Sequence, residues 1–269
     1  MSVYYGGCDV GSTYGKAVIL KDGQIAATAI VRSEIDPDLT AKVVLEKAIE
    51  QVEGLKSISD LSYLIGTGYG RNQIPFANEN VSEISCHAYG VYTLDPTVKT
   101  IVDIGGQDVK GIAIGDDGSV KEFVMNDKCA AGTGRFFEAM ARIYDLDIEK
   151  FSELSLNAKR AIPITAQCSV FAETEVISML AKRKDPAEIA CGIETSVAKR
   201  CFVMLKRVGM RPKVAVTGGC CKNKGLIHEL TKIMRMELAE LPVDPQLMGA
   251  LGAARLAEAK ASGSANKVA

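Results

Sequence analysis

Two segments of the chain, residues 5–25 and 101–120, carry the same succession of apolar runs and turn residues. In each, an Asp-x-Gly turn follows the first apolar run and an Asp-Gly pair follows the second. Asp-Gly pairs are typical of hairpin turns because glycine tolerates a positive φ angle. Each segment therefore predicts three consecutive strands, and the repeat predicts two duplicated α/β lobes, at residues 1–97 and 98–260. The repeat aligns Asp9 with Asp103, Gly11 with Gly105 and Lys16 with Lys110.

Helices are predicted after each set of strands. The clearest start is Asp185, because a proline at the first helical position and Glu188 complete the pattern of an N-cap. The apolar residues that follow recur at helical spacing as far as Gly209. The small, polar segment at residues 261–269 is predicted to be a disordered tail. Other helix starts are predicted at Thr40, Thr133, Ser169 and Asp244.

The composition of the chain argues against several classes of protein. With 32 Lys plus Arg against 33 Asp plus Glu, the net charge is −1, which argues against a surface that coats nucleic acid. No apolar run approaches the roughly 18 residues of a membrane span, and the N-terminus lacks the basic segment of a signal peptide. We therefore expect a cytoplasmic protein with neither nucleic acid nor membrane as a partner. The two His exclude a His-rich metal site, whereas the eight Cys leave a thiolate site open.

The two Asp-x-Gly turns have the composition of a phosphate-binding site. Glycine lets backbone N–H groups approach a phosphate chain closely, and the aligned lysines add positive charge. The two aspartates could hold Mg²⁺ through its waters, since Mg²⁺ keeps most of its hydration shell. One such turn alone would be an ordinary hairpin, but two aligned copies with matched lysines favour a nucleotide site. Its candidate residues are Asp9, Gly11, Ser12, Thr13, Lys16, Asp103, Gly105, Gly106 and Gln107.

A later glycine pair, Gly218 and Gly219, follows a short apolar run that ends at Thr217. Two glycines there would let a flat base or ribose lie against the backbone, although a plain turn from strand to helix fits the residues equally well. Two other nucleotide motifs are missing from the sequence. There is no G-x-x-x-x-G-K-[ST], and the glycines at residues 66–70 do not have the G-x-G-x-x-G spacing.

Taken together, the duplicated hairpins, the late Thr-Gly-Gly and the small-residue segment at 248–254 resemble the superfamily of sugar kinases, actin and chaperone ATPases. This resemblance implies two lobes of ribonuclease-H-like topology with a nucleotide cleft between them, which closes over ATP and Mg²⁺. Residues 126–136, 68–71 and 167–173 resemble one branch of it more closely. That branch is the family of activators of 2-hydroxyacyl-CoA dehydratases, to which the ATPase subunits of benzoyl-CoA reductase are related.

The closer resemblance implies a [4Fe–4S] cluster at Cys129 and Cys168. Fe–S clusters usually take four cysteine thiolates, and a chain that offers two can complete the set as a homodimer. Each of the two cysteines precedes a predicted helix, whose N-terminus favours a thiolate. The resemblance further implies that ferredoxin or flavodoxin supplies one electron, and that ATP hydrolysis to ADP drives its transfer to the dehydratase.

The other cysteines have a simpler interpretation. A cysteine in a cytosolic chain is more often a small core residue than a ligand. Cys129 departs from this because its neighbours form no apolar face, whereas apolar residues follow Cys168 closely. The adjacent Cys220 and Cys221 are assigned to the loop after the late glycines. The core interpretation applies to Cys8, Cys86, Cys191 and Cys201.

The residues after Cys129 suggest how nucleotide and cluster could be coupled. Gly132, Thr133 and Gly134 form a glycine-rich turn that enters a helix where the phosphates are expected. Closure around ATP would therefore move the helices that hold the cluster. The group that activates the hydrolytic water is left open among Gln107, Asp108 and Glu138.

Three other functions compete with an activator. A kinase acting on a sugar or an amide would use the same glycines but would give Cys129 and Cys168 no role. A non-catalytic nucleotide-sensing module and the ATPase subunit of an aromatic acyl-CoA reductase are the second and third. The sequence identifies neither the electron donor nor the acyl-CoA on which the partner acts, because that chemistry lies in other proteins.

Overall fold

The two repeated segments form strands of two separate sheets. The computed structural model describes residues 2–165 and 168–263. Its strands are β1 (Tyr4–Val10), β2 (Tyr14–Lys21), β3 (Gln24–Arg32), β4 (Tyr63–Thr67), β5 (Glu79–Asn80), β6 (Thr100–Ile104), β7 (Val109–Ile114), β8 (Val120–Asn126) and β9 (Val214–Thr217). Its α-helices are α1 (Pro37–Ile49), α2 (Glu83–Leu94), α3 (Gly134–Ile143), α4 (Ile148–Leu156), α5 (Ser169–Ala181), α6 (Pro186–Arg207), α7 (Lys224–Met234) and α8 (Met248–Ala261).

The first sheet has the strand order β3-β2-β1-β4-β5. The hairpins from β1 to β2 and from β2 to β3 are antiparallel, as their turn residues predict, and β4 pairs with β1 in parallel. The register places Asp9 of β1 opposite Lys16 of β2 and opposite Thr67 of β4. Three polar residues therefore share one level at the end of the central strand.

The second sheet repeats this arrangement. Its order is β8-β7-β6-β9, which matches β3-β2-β1-β4 strand for strand. β6 pairs in parallel with β9, and the register places Asp103 opposite Thr217. The predicted duplication is therefore confirmed in topology.

Helix α1 begins earlier than its sequence pattern predicted. Thr40 does not cap it; Asp36 does, and the Asp36 carboxylate accepts a hydrogen bond of 3.1 Å from the Asp38 amide. Pro37 fits the first helical position because its missing N–H has no partner there in any helix. Thr40 is buried in the first turn, where its hydroxyl donates to the Asp36 carbonyl.

The predicted cap of α6 is confirmed in its main feature. The Asp185 carboxylate accepts hydrogen bonds from the amides of Ala187 and Glu188, at 2.8 and 3.4 Å. The Glu188 side chain forms an ion pair of 3.1 Å with Arg160. The predicted apolar stripe is buried along the helix: Ile189, Ile193, Val197, Cys201, Leu205 and Val208.

Three further helix starts lie close to their predicted positions. Thr133 is the N-cap of α3, and α5 begins at Ser169. After Asp244, a 3₁₀ turn at Pro245–Leu247 precedes α8. Along α3, the residues predicted to face inward at 137, 140 and 141 are buried.

Two compact units make up the chain, and they do not follow the lobe boundary expected at residues 97 and 98. One unit consists of residues 1–99, 112–123 and 240–269, and the other of residues 100–111 and 124–239. The chain crosses from one unit to the other within β7 and within β8. The first unit therefore includes α8, which packs against α2, β1 and β4.

The end of the chain was predicted to be a disordered tail from residue 261. Helix α8 continues to Ala261, and residues 264–269 lie outside the described residues, as does Gln167. Among the helices that are described, none combines the length and the apolar content that crossing a membrane requires.

Candidate functional site

The first Asp-x-Gly turn holds a buried carboxylate. Asp9 is only 4% exposed, and its Oδ2 lies 3.0 Å from the Lys16 ammonium. Gly68, at a φ of +90°, faces Asp9 Oδ1 so closely that any Cβ at residue 68 would collide with it. The turn also contains the hydroxyl of Thr13, which is buried without a hydrogen-bond partner. An unsatisfied buried hydroxyl at this place is consistent with a ligand that supplies the missing partner.

The second turn repeats the same arrangement around Asp103. The carboxylate is 3% exposed and lies 3.5 Å from the ammonium of the buried Lys110. Its Oδ1 accepts a hydrogen bond of 2.9 Å from the Thr217 hydroxyl. A Cβ on Gly218, whose φ is +84°, would lie 2.8 Å from the same oxygen. The predicted aspartate, lysine and late glycine are therefore brought together.

The duplication extends to a Thr-Gly pair that the sequence interpretation missed. Thr67-Gly68 follows β4 as Thr217-Gly218 follows β9, and both threonines are in register with the aspartate of their sheet. Both glycines have a positive φ and face that aspartate. The sequence signal was an apolar run that ends in Thr-Gly. This signal was overlooked because the glycines at residues 66–70 do not match the spacing of a dinucleotide-binding motif.

The three residues proposed to activate water differ in their surroundings. Gln107 is exposed. Asp108 Oδ2 lies 2.6 Å from the Lys110 ammonium, and Glu138 Oε2 lies 2.8 Å from Arg135 Nη1. The assignment of one of them as the group that activates water stays a prediction.

The N-terminus of α3 is bonded directly to the second Asp-x-Gly turn. The amides of Gly134 and Arg135 donate to the carbonyls of Gly105 and Gly106, each at 2.9 Å. Gly134 approaches so closely that a Cβ there would lie 3.2 Å from Gly106 Cα. The segment that carries Cys129 is therefore attached to the turn that carries Asp103. Nucleotide binding by Gly132, Thr133 and Gly134 stays a prediction.

This attachment corrects one part of the cysteine argument. Cys129 was expected to lie directly before a helix, but Thr133 is the N-cap of α3, and the first two amides of that helix donate to Gly105 and Gly106. They are not available to a thiolate at residue 129. Cys168 does occupy the expected place, as the N-cap of α5.

The eight cysteines differ in how far they are buried. Cys129 and Cys168 are exposed, Cys221 is intermediate, and the other five are buried. The core assignment of Cys8, Cys86, Cys191 and Cys201 is confirmed. Burial away from water raises the pKa of Cys86 and of Cys201 to about 12, so these thiols stay protonated at neutral pH.

Cys220 is more buried than its predicted place in a loop implies. It belongs to a 3₁₀ turn at Gly219–Lys222 and is buried, with its Sγ 3.8 Å from the Gly105 carbonyl oxygen. Burial raises the pKa of its thiol well above the usual value. The thiol therefore packs against the second turn in its protonated form.

The cysteine pair fits an iron–sulfur centre in its chemistry and its accessibility. In the part of the chain that the structure describes, no three side chains of His, Cys, Asp or Glu are grouped for a metal ion. Two exposed thiols per chain are soft ligands of the type that Fe–S clusters use, but they supply half of the usual set. A complete set would need a second copy of the chain.

Comparison with known proteins relates the chain to a family of ATPases. Residues 7–257 match the model of the BadF/BadG/BcrA/BcrD ATPase family. The activator of lactoyl-CoA dehydratase from Anaerotignum propionicum is 45% identical over 252 residues, which are 94% of this chain and 96% of that protein.

Two solved structures share the whole fold. Component A of (R)-2-hydroxyglutaryl-CoA dehydratase from Acidaminococcus fermentans is 40% identical, with a TM-score of 0.91 over 97% of this chain and all of that one. The activator of 2-hydroxyisocaproyl-CoA dehydratase from Clostridium difficile, with bound ADPNP, is 41% identical, with a TM-score of 0.90 over 99% of this chain and 98% of that one.

Proposed function

Because the chain belongs to the BadF/BadG/BcrA/BcrD family of ATPases, we propose that it is the ATP-dependent activator of a 2-hydroxyacyl-CoA dehydratase. It hydrolyses ATP to ADP and phosphate and couples that reaction to the delivery of one electron to the dehydratase. One observation carries the proposal: the amides of Gly134 and Arg135 bond the segment of Cys129 to the turn of Asp103. Two backbone hydrogen bonds thus connect the proposed nucleotide turn to the segment that carries a candidate cluster ligand.

The duplicated turns bind the nucleotide in this proposal. Backbone amides near the glycines approach the phosphates, and the buried Thr13 hydroxyl gains the partner that it lacks. Asp9 and Asp103 would hold Mg²⁺ through its waters, and the ion pairs with Lys16 and Lys110 hold the two carboxylates in place. The residues are those named from the sequence: Asp9, Gly11, Ser12, Thr13, Lys16, Asp103, Gly105, Gly106, Gln107, Gly132, Thr133, Gly134, Gly218 and Gly219.

Cys129 and Cys168 hold a [4Fe–4S] cluster, one per homodimer, with two thiolates from each chain. Their exposure supports this assignment, because a ligand shared with a second copy must reach the surface. When bound, such a cluster supplies a one-electron carrier of low potential. The chain itself contributes the thiolates and the backbone that positions them.

The coupling between the two centres follows from the hydrogen bonds of α3. A change in the Gly105–Gly106 turn on ATP binding or phosphate release displaces the two carbonyls that the helix amides contact. The helix and the Cys129 segment must follow, or lose two backbone hydrogen bonds at about 1 kcal/mol each. Nucleotide state is thereby transmitted to a cluster ligand.

The partners are the dehydratase and an electron donor, ferredoxin or flavodoxin. The relatives named above activate dehydratases of lactoyl-CoA, (R)-2-hydroxyglutaryl-CoA and 2-hydroxyisocaproyl-CoA, at identities of 45%, 40% and 41%. (R)-2-Hydroxyglutaryl-CoA is our first choice of substrate for the partner enzyme. The three identities are close, so each of the three acyl-CoA compounds belongs in the assay.

Iron content, molar mass and visible spectrum after anaerobic purification test the cluster. We expect a dimer with about four iron atoms and a brown colour. Cys129→Ser and Cys168→Ser should each lose most of the iron. Cys221→Ser, which changes a partly exposed cysteine outside the proposed ligand set, is the matched control. A wild-type dimer without iron would refute the cluster.

Activation is tested by adding the protein, Mg²⁺–ATP and a reductant to each dehydratase and measuring the enoyl-CoA product. We expect product only when ATP and the reductant are both present, and none with Cys129→Ser. ATP consumption that depends on a sugar or amide acceptor, without iron, would identify a kinase instead.

A further inference from the structure

The two oxygens of the Asp9 carboxylate face different parts of the first unit. Oδ1 faces Gly68, whereas Oδ2 contacts Lys16 and lies beside Gly249 at the start of α8. A Cβ on Gly249 would lie 2.8 Å from Asp9 Oδ2 and 3.0 Å from His87 Nε2. Asp9 Oδ2 and His87 Nε2 therefore lie within one hydrogen-bond length of the same point. The distance between the two atoms is at most about 6 Å.

His87 is held in this position by the packing of α2 on α8. The side chain is 5% exposed. The two helices approach so closely that a Cβ on Gly252 would collide with the Cys86 carbonyl oxygen, and one on Gly90 with that of Met248. Backbone contacts on both sides of His87 thus fix where its imidazole lies relative to Gly249.

The second turn shows what is missing from the first. Asp103 has two side-chain donors, the Lys110 ammonium and the Thr217 hydroxyl. At Asp9 the corresponding lysine is present, but the hydroxyl of Thr67 lies beside the Cys86 thiol and makes no hydrogen bond to the carboxylate. The imidazole of His87 lies near enough to Asp9 Oδ2 to donate to it across one water.

We propose that His87 is a positioning residue of the nucleotide site, which steadies the Asp9 carboxylate through its Nε2 across one water. An imidazole N–H is a donor, and a carboxylate oxygen with two donors is held more firmly than an oxygen with one. The inference rests on the proposed ATPase function, in which Asp9 orients the hydrated Mg²⁺ and the phosphates. It assigns a role to a buried histidine that the duplicated motif itself does not include.

The chain offers a direct spectroscopic test, because it has two histidines. His87 is buried, whereas His228 lies exposed on α7. Full-length protein labelled with ¹³C at histidine should give two imidazole signals, which His228→Gln assigns. On addition of Mg²⁺–ADP, we expect the His87 signal to shift and the His228 signal to stay.

Calorimetry with the same nucleotide distinguishes two failures. If Mg²⁺–ADP binds and the His87 signal does not move, the role of His87 is refuted while the ATPase proposal stands. If neither Mg²⁺–ADP nor Mg²⁺–ATP binds, the ATPase proposal itself fails.

Two substitutions separate positioning from space filling. His87→Gln keeps an N–H donor near the position of Nε2, and His87→Leu fills a similar volume without one. We expect the KM for Mg²⁺–ATP to stay within about threefold of wild type in the Gln variant and to rise roughly tenfold or more in the Leu variant. His228→Gln should leave KM unchanged. Equal KM values in folded Gln and Leu variants would show that His87 only fills space.

Discussion

The carboxylates of Asp9 and Asp103 each need a neighbouring residue without a side chain. Gly68 and Gly218 take a positive φ and lie against an oxygen of the aspartate in their own sheet. The aspartates, their lysines and the late glycine were predictable because they follow turn patterns along the chain. Thr67-Gly68 was predictable too, since it ends an apolar run as Thr217-Gly218 does. His87 was not, because its importance depends on which helix lies beside Asp9.

Gly218→Ala is expected to lower the free energy of unfolding by about 3 kcal/mol, since an L-residue at positive φ is strained and its Cβ meets Ile104 and Asp103. Gly209→Ala is the matched control, because Gly209 also has a positive φ but nothing lies within 4 Å of its Cβ position. It should cost about 1 kcal/mol, because an L-residue at positive φ is strained. Urea denaturation measures both, and equal losses would show that the approach to Asp103 is unimportant.

Helices α6 and α7 pack against each other in the second unit. Asn223 caps α7 by accepting from the Leu226 amide, and its side-chain amide donates to Glu194 of α6 at 2.9 Å. The cap of α6 was predictable because Asp185 and Pro186 are adjacent in sequence. The Asn223–Glu194 contact was not, because 29 residues separate the two side chains.

Glu194 should make stability depend on pH. Burial away from water, aided by the nearby charge of Glu229, raises its pKa from 4.5 to about 8, against the hydrogen bond from Asn223. Between these values the folded chain binds a proton that the unfolded chain has lost. The free energy of unfolding therefore falls as pH rises from about 4.5 to 8, by about 1.4 kcal/mol per pH unit, and then levels off.

Denaturation of wild type and Glu194→Gln across this pH range measures the effect, because the glutamine has no proton to lose. The difference between the two proteins should change steadily with pH and become constant above about 8. Glu153→Gln, which removes an exposed carboxylate paired with Lys224, is the control. A difference that does not vary with pH would contradict the prediction.

At the scale of the whole molecule, the duplication is visible in strand order and in register. The order β3-β2-β1-β4 recurs as β8-β7-β6-β9, and Asp9 faces Thr67 as Asp103 faces Thr217. The repeat of turn residues predicted this symmetry. It could not predict that α8, the last helix in sequence, packs in the first unit, because that placement depends on close contacts such as that of Gly7 with Ala250.

Removal of residues 240–269 should unfold the first unit selectively. Without α8, the apolar surfaces of β1, β4 and α2 lose their cover, and a loss of buried area on this scale exceeds the stability of a typical domain. Hydrogen exchange should show fast exchange in β1 and β4, while α6 of the second unit serves as the internal control. Unchanged protection in β1 would contradict the assignment of α8 to its unit.

Cys129 and Cys168 are exposed on the surface. Exchanging an exposed side chain opens no cavity, so the loss of either thiol costs the fold little. The duplicated turns do not depend on them. A descendant of this chain could therefore lose one of its two sulfur ligands by a single mutation and still fold, and natural selection could keep it for a task that involves no redox chemistry.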